Sequence, residues 1–224
     1  MRRTHLVPGL ALTLVFAATA AAMAVPPMGG TAVTLDADPT IVVYSSSTTL
    51  SGRLTGGGTA SGVTVRLEQD TTRPYGDDYK PAGITTTTAN NGKYSFTLKP
   101  LLNTQYRVEA KASPPVTSTP RLVLVRMRVG IKLSDSTPQR GRLVRFSGSV
   151  FPAHDGRQAL IQKRTSTGRF VTVARRTLRD AGDARSSYSR RIRIYRDGVY
   201  RVKVAGDSDH INGFSRLRTI NVHG

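Results

Sequence analysis

One pattern occurs twice in the chain and limits what it can fold into. The first copy reads Gly92-Lys93-Tyr94-Ser95-Phe96-Thr97-Leu98, then a short loop, then Tyr106-Arg107-Val108-Glu109-Ala110. The second reads Tyr188-Ser189-Arg190-Arg191-Ile192-Arg193-Ile194, then Asp197-Gly198, then Val199-Tyr200-Arg201-Val202-Lys203-Val204. Side chains alternate between the faces of a strand, so Tyr94, Phe96 and Leu98 share one face and Lys93, Ser95 and Thr97 the other. Tyr106, Val108 and Ala110 separate in the same way from Arg107, Glu109 and Lys111. Such alternation predicts antiparallel sheets with one wet side. Tyr106 and Tyr200, which open the second strand of each copy, suit a tyrosine corner: ring inward, hydroxyl bonded back to upstream backbone.

The repeat extends over the whole chain. Leu50-Ser51-Gly52 matches Phe146-Ser147-Gly148 at an offset of 96, and Val65-Arg66-Leu67 matches Leu160-Ile161-Gln162 at 95. Tyr94-Ser95 matches Tyr188-Ser189, and Tyr106-Arg107-Val108 matches Tyr200-Arg201-Val202, both at 94. Near-constant offsets with apolar positions in phase indicate two copies of one module. Seven short strands are expected near 33–36, 48–55, 62–69, 79–86, 93–99, 105–112 and 120–126. Seven more are expected near 129–134, 143–150, 157–164, 169–176, 187–195, 198–205 and 216–222. Gly, Pro, Asn or Asp mark most gaps, as at Asn90-Asn91-Gly92 and Asp155-Gly156. Gly56-Gly57-Gly58 reads as a hairpin turn. No stretch sustains a helical period. The predicted fold is all-β: a tandem of two Ig-like antiparallel β-sandwiches after a signal peptide.

On Leu50-Ser51-Gly52, Gly62-Val63-Thr64-Val65, Gly92-Lys93-Tyr94-Ser95-Phe96 and Asn103-Thr104-Gln105-Tyr106-Arg107-Val108, both halves resemble bacterial Ig-like or fibronectin-type-III-like modules. Those modules belong to secreted proteins of high-GC Gram-positive bacteria. The resemblance covers nearly the whole chain after the signal and implies a fold shared by modules of many roles. A transthyretin-like sandwich, as in carboxypeptidase regulatory domains, is the alternative; it also uses a Gly-Lys-Tyr-Ser-Phe strand and a downstream Tyr-Arg-Val strand. The Cys pair and core Trp of antibody domains are absent.

Residues 1–24 read as a signal peptide. Arg2 and Arg3 form a basic start, Leu10 to Phe16 an apolar run, and Ala22-Met23-Ala24 a cleavage site. Thr4-His5 continues poorly as a twin-arginine signal, which favours the general secretory route. Residues 25–30 form a Pro/Gly spacer, 31–127 the first module and 128–224 the second. Leu122 to Val129 crosses between them with no Ser/Gly/Pro spacer, so a stiff joint near Met127 is expected. The chain has no Cys, so each module holds by its apolar core alone. No apolar segment follows near the C-terminus, and no stable membrane insertion is expected after cleavage.

No catalytic, cofactor-binding or metal-binding residue is assigned. His154, His210 and His223 fall in expected loops or at the terminus, and no His pair has metal-ligand spacing. Asp207-Ser208-Asp209-His210 is a short contiguous run, not a convergent catalytic constellation. Asp77-Asp78 and Asp207-Ser208-Asp209 lack the alternating ligands of a calcium loop and read as solvated turn acids.

Charge is the anomaly. The formal net charge is +19, unevenly spread. Residues 25–122 carry nine Lys/Arg against seven Asp/Glu, and residues 123–224 carry twenty-two against seven. An excess of one sign attracts polyanions at short range. The candidate contacts are Arg145, Arg190, Arg191 and Arg193 on one sheet and Arg201, Lys203 and Arg218 on the other. Few aromatics accompany them, Phe151, Tyr195 and Phe214 being the exposed candidates, which disfavours nucleic acid. GC-rich coding also favours Arg, so codon bias is the competing account. The expected protein is secreted and non-enzymatic, and its setting the cell envelope. It would be a binding or structural module contacting anionic surface polymer through its second half. The alternative is an accessory or inhibitor protein docking on another secreted protein.

Overall fold

The computed structural model describes residues 30–224 apart from Gly57, Thr59 and Asp183. The expected signal peptide, and the spacer except Gly30, lie outside the described residues. Among the described residues there is no helix, and hence none long and apolar enough to cross a membrane.

In the first half the strands are β1 (Ala32–Val33), β2 (Asp36–Asp38), β3 (Ile41–Val43), β4 (Thr48–Thr55), β5 (Thr64–Asp70), β6 (Lys80–Thr87), β7 (Lys93–Leu98), β8 (Thr104–Ala110) and β9 (Val116–Thr117). β10 (Arg121–Val129) joins the halves. The second half holds β11 (Lys132–Leu133), β12 (Arg142–Phe151), β13 (Gln158–Arg164), β14 (Phe170–Thr177), β15 (Arg179–Asp180), β16 (Ser186–Ile194), β17 (Gly198–Val204), β18 (Ile211–Phe214) and β19 (Arg218–Ile220).

Both halves use one plan. In the first, β4 lies between β1/β2 and β7, and faces a sheet ordered β6-β5-β8 with β9 and the start of β10 beside β8. In the second, β12 lies between β11 and β16, with β15 beyond. It faces β14-β13-β17, and β18 and β19 share the far edge of β17. Two antiparallel sheets packed face to face, with β4 or β12 between the first strands of its half and the Tyr-bearing strand, is the Ig-like arrangement. Each sandwich closes on its own core. Leu35, Leu50, Leu67, Tyr94, Tyr106, Val108 and Val125 belong to the first, and Met127, Phe146, Ile161, Tyr188, Tyr200, Val202 and Ile220 to the second. Ile194 is buried, whereas Ile192 is only half-buried and packs against the core's side.

β10 belongs to both sandwiches. Val123, Val125, Met127 and Val129 alternate inward along it, the first two into one core and the last two into the other. Its start pairs with β8 and, in parallel, with β3; its end pairs in parallel with β18 and antiparallel with β12. Arg126 is paired to Val43 in one half and to Ile211 in the other. The 127/128 boundary therefore falls inside a continuous strand.

Three expectations change. β4 and β5 lie in different sheets, so the Gly56–Gly58 stretch, of which Gly56 and Gly58 are described, leads from one sheet to the other and is no hairpin turn. Tyr106 and Tyr200 are buried as expected, but the hydroxyl-to-backbone bond belongs to the tyrosine of the preceding strand. Tyr94 donates to the Thr34 carbonyl and Tyr188 to the Gly130 carbonyl. Four short strands, β3, β9, β15 and β18, add to the expected set; β3 and β18 lie against β10, where their pairing depends on the other elements.

Candidate functional site

The polar cluster at the joint is assembled by two loops. The loop from β17 to β18 turns on Asp207. Its Oδ1 accepts the amides of Asp209 at 3.0 Å and His210 at 2.8 Å, and its own amide donates to the His210 carbonyl at 2.8 Å. Asp207 thus acts as a turn acid, holding a short polar loop in a single shape. Gly206 is required there, because a Cβ would come within 2.4 Å of the His210 carbonyl oxygen. The loop from β12 to β13 carries His154, whose amide donates to Ser186 Oγ at 2.7 Å; that hydroxyl donates to Asp155 at 2.6 Å.

These loops bring His154, Asp207 and His210 together, with one ligand-capable atom of each within 4.8 Å of the others. His154 Nε2 is 3.0 Å from Asp207 Oδ2, and His210 Nδ1 is 3.6 Å from Asp207 Oδ1. Both histidines are buried, and their rings meet edge to face at 5.2 Å between centroids. The opposite nitrogen of each ring is held by a backbone carbonyl: His154 Nδ1 by Pro152 at 2.9 Å and His210 Nε2 by Leu101 at 2.8 Å. Arg157 approaches Asp207 Oδ2 at 3.4 Å while donating to the Gly206 carbonyl. Burial raises the Asp207 pKa, but the two amides, His154 and Arg157 outweigh it and leave the carboxyl below its usual range.

Sequence spacing points to no metal ligand, because His154 and His210 are separated by most of a sandwich. The fold nevertheless brings these two histidines, distant in sequence, to the same carboxylate. It also removes Asp207 from the solvated turn acids. The same loop docks on the first half. Asn103 donates from its amide to the Asp209 carbonyl at 2.7 Å and from Nδ2 to Ser208 at 3.0 Å. Its Oδ1 accepts the Val125 amide at 2.8 Å.

The basic residues separate into two groups. Arg145 and Arg191 are direct cross-strand partners between β12 and β16, and Arg193 follows two residues on; all three are exposed. Lys132 lies beside them through its pairing with Ser147. Arg193 spends one donor on the Gly141 carbonyl at 2.8 Å. Arg190 has the phase of buried Tyr188, being opposite Phe146, yet is itself exposed.

On the other sheet the expected free cations are not all free. Arg201 is half-buried between the rings of Phe170 at 3.8 Å and Phe214 at 4.6 Å, and donates to Gln162 at 2.9 Å. Burial lowers its pKa. Lys203 is half-buried beside Phe214, and Phe214 is half-buried too. Arg218 is paired with inward-facing Tyr200, so it does not share the outer face with Arg201 and Lys203.

The first half shows what these positions look like when neutralised. There Arg107 pairs with Glu68 at 2.8 Å, and Arg66 pairs with Glu68 at 2.9 Å and Glu109 at 2.6 Å. By register Glu68 corresponds to Gln162 and Glu109 to Lys203. Both acids are missing from the second copy. Among the described residues, Arg157 is the one Lys or Arg of the second half with a carboxylate within 4 Å.

No protein-family model and no curated protein matches the chain. Among solved structures it is similar to an ICAM-5 ectodomain fragment, D1–D4, at 16% identity and a TM-score of 0.40. The match covers 85% of this chain and 53% of that one, so the chain spans about half the length of that fragment.

Proposed function

We propose that the protein is a secreted, non-enzymatic binding or structural module of the cell envelope whose second sandwich contacts an anionic surface polymer. The observation that carries this reading is the outer face of β12 and β16. Arg145 and Arg191 stand directly opposite one another with Arg193 and Lys132 near, and no described carboxylate lies within 4 Å of any of them. Like charges in direct cross-strand register are destabilising, and a polyanion relieves that repulsion. The face is broad and strand-borne, which suits a repeating charge more than a shaped ligand. Arg201 is left out of the contact set because its guanidinium is already enclosed.

The test is retention of the whole protein on an immobilised polyphosphate column over a salt gradient. Wild type should elute late, and retention should fall steeply with salt as counterions are exchanged. The triple variant Arg145→Ser, Arg191→Ser, Arg193→Ser should elute much earlier with an unchanged circular dichroism spectrum. Equal elution of the two proteins would overturn the reading and leave the Arg excess to codon bias.

A further inference from the structure

We propose that His154, Asp207 and His210 form a binding site for one divalent transition-metal ion of the zinc class at the domain joint. The ligands are His154 Nε2, the Asp207 carboxylate and His210 Nδ1. The tautomers decide the matter. A carbonyl oxygen only accepts, so the nitrogens held by Pro152 and Leu101 carry the protons. The other two nitrogens both face Asp207, and each can offer a lone pair to an ion. One ligand-capable atom of each residue thus lies within 4.8 Å of the others. His210 Nδ1 is buried and has no hydrogen-bond partner, in a residue only 7% exposed.

This is the arrangement a metal requires. Ligating histidines ordinarily donate the other ring N–H to a carbonyl or carboxylate, which fixes the ring and raises its basicity. Tetrahedral zinc at about 2.0–2.1 Å from nitrogen and oxygen sets its ligand atoms roughly 3.3 Å apart. His154 Nε2 is 3.0 Å from Asp207 Oδ2 and His210 Nδ1 3.6 Å from Oδ1, with one ligand-capable atom of each residue within 4.8 Å of the others, so a small inward shift of the rings would close the set on one ion. Two imidazoles and one carboxylate suit zinc, with a fourth position open to water. A proton on His154 would also reconcile that ring with Asp207, but it would leave His210 Nδ1 without a partner. A metal serves both rings. Because His210 also grips the Leu101 carbonyl of the first sandwich, the bound ion would stiffen the joint.

Arg157 supplies the discriminating test. Its charge lies 3.4 Å from the liganding carboxylate and opposes a cation there, so Arg157→Ala should tighten metal binding, whereas a plain ion-pair cluster would only be weakened by it. Chelator-treated protein is titrated with zinc chloride by calorimetry, and with cobalt(II) by visible absorption. The expected result is one equivalent bound, with the absorption of low-coordinate cobalt. Affinity should rise in Arg157→Ala, fall by more than about tenfold in Asp207→Asn and in His210→Ala, and stay unchanged in His223→Ala, which alters an exposed terminal residue. Absence of saturable uptake by wild type would overturn the site. So would uptake that persists in folded Asp207→Asn and His210→Ala, or zinc affinity lowered by Arg157→Ala. If Asp207→Asn and His210→Ala fail to fold, the wild-type cobalt spectrum and Arg157→Ala decide.

Discussion

The Tyr188 hydroxyl donates to the Gly130 carbonyl oxygen at 2.7 Å, across the position of Gly148, its register partner. The first sandwich repeats the device with Tyr94, Thr34 and Gly52. A Cβ on Gly148 would lie 2.2 Å from the Gly130 oxygen and 2.9 Å from the Tyr188 hydroxyl. Gly148→Ala should therefore cost about 1–3 kcal/mol, as overpacking against backbone does. Tyr188→Phe should cost about 1 kcal/mol for the lost bond. The carbonyl clash survives removal of the hydroxyl, so Gly148→Ala should remain costly in the Tyr188→Phe background. Urea unfolding midpoints of the three variants check this.

Tyr200 behaves differently. Its ring packs edge to face on Phe146 at 5.2 Å between centroids, and no partner for its hydroxyl occurs among the described residues. Tyr200→Ala should cost roughly 3–5 kcal/mol, the range for truncating a buried aromatic ring. Tyr200→Phe should lie within about 0.5 kcal/mol of wild type. Similar losses in the two variants, measured by denaturant unfolding, would contradict this assignment of the hydroxyl bond to Tyr188.

The period-two pattern is enough to place Tyr94, Phe96, Tyr106, Val108, Tyr200 and Val202 inward, because a buried face leaves a direct mark on each strand. It does not say which tyrosine hydroxyl reaches backbone, since that depends on which carbonyl a separate strand presents. β18 escapes the pattern for a related reason. Ile211-Asn212-Gly213-Phe214 is short and carries Gly213 where β10 passes close: a Cβ there would lie 2.7 Å from the Met127 carbonyl oxygen. The His154–Asp207–His210 cluster leaves no spacing signal, because its ligands come from loops at one end of two sheets. The basic face is half legible. Alternation places Arg145, Arg191 and Arg193, but the rings around Arg201 belong to β14 and β18 and cannot be read from its own strand.

Asp70 supplies a pH dependence. It is buried, and its carboxylate accepts the amides of Thr72 at 3.0 Å and Gly76 at 2.6 Å. Burial raises its pKa, but the backbone amides prevail and the folded value is lowered. A lowered folded pKa means stability that is present above the unfolded value of about 3.9 and lost as pH falls through the folded one. Asp70→Asn should thus be less stable than wild type at pH 7, and the gap should shrink on acidification to pH 3. A gap of constant size between the two urea midpoints would show that ionisation of Asp70 adds nothing.

Asn103 should couple the two sandwiches. Its side chain joins the Val125 amide to the Ser208 carbonyl, across the joint. In the second copy Asp197 similarly accepts the Val222 amide at 2.7 Å. Asn103→Ala leaves the Val125 amide unmet inside the first core and should cost about 1–3 kcal/mol. Its effect on cooperativity is the sharper readout. Calorimetry should show one unfolding transition in wild type broaden or split in the variant, because β10, the residue-103 amide to Asp209 and the His210–Leu101 bond are then left to link the halves.

The missing acids make the electrostatic reading reversible. Gln162 and Lys203 stand where the first sandwich has Glu68 and Glu109. Restoring the acids with Gln162→Glu and Lys203→Glu places a carboxylate against Arg201, whose Nε already donates to the Gln162 side chain at 2.9 Å. Fold and stability should change little, since the first sandwich tolerates the same pairing. The formal charge falls by three, however, and polyanion retention should drop at low salt. It should drop less than in the Arg145, Arg191 and Arg193 triple variant, because those three stay exposed and the restored acids lie on the opposite sheet. If instead the double Glu variant loses more retention than the triple Ser variant, the polymer binds the sheet that carries Arg201. The outer face of β12 and β16 would then not be the contact.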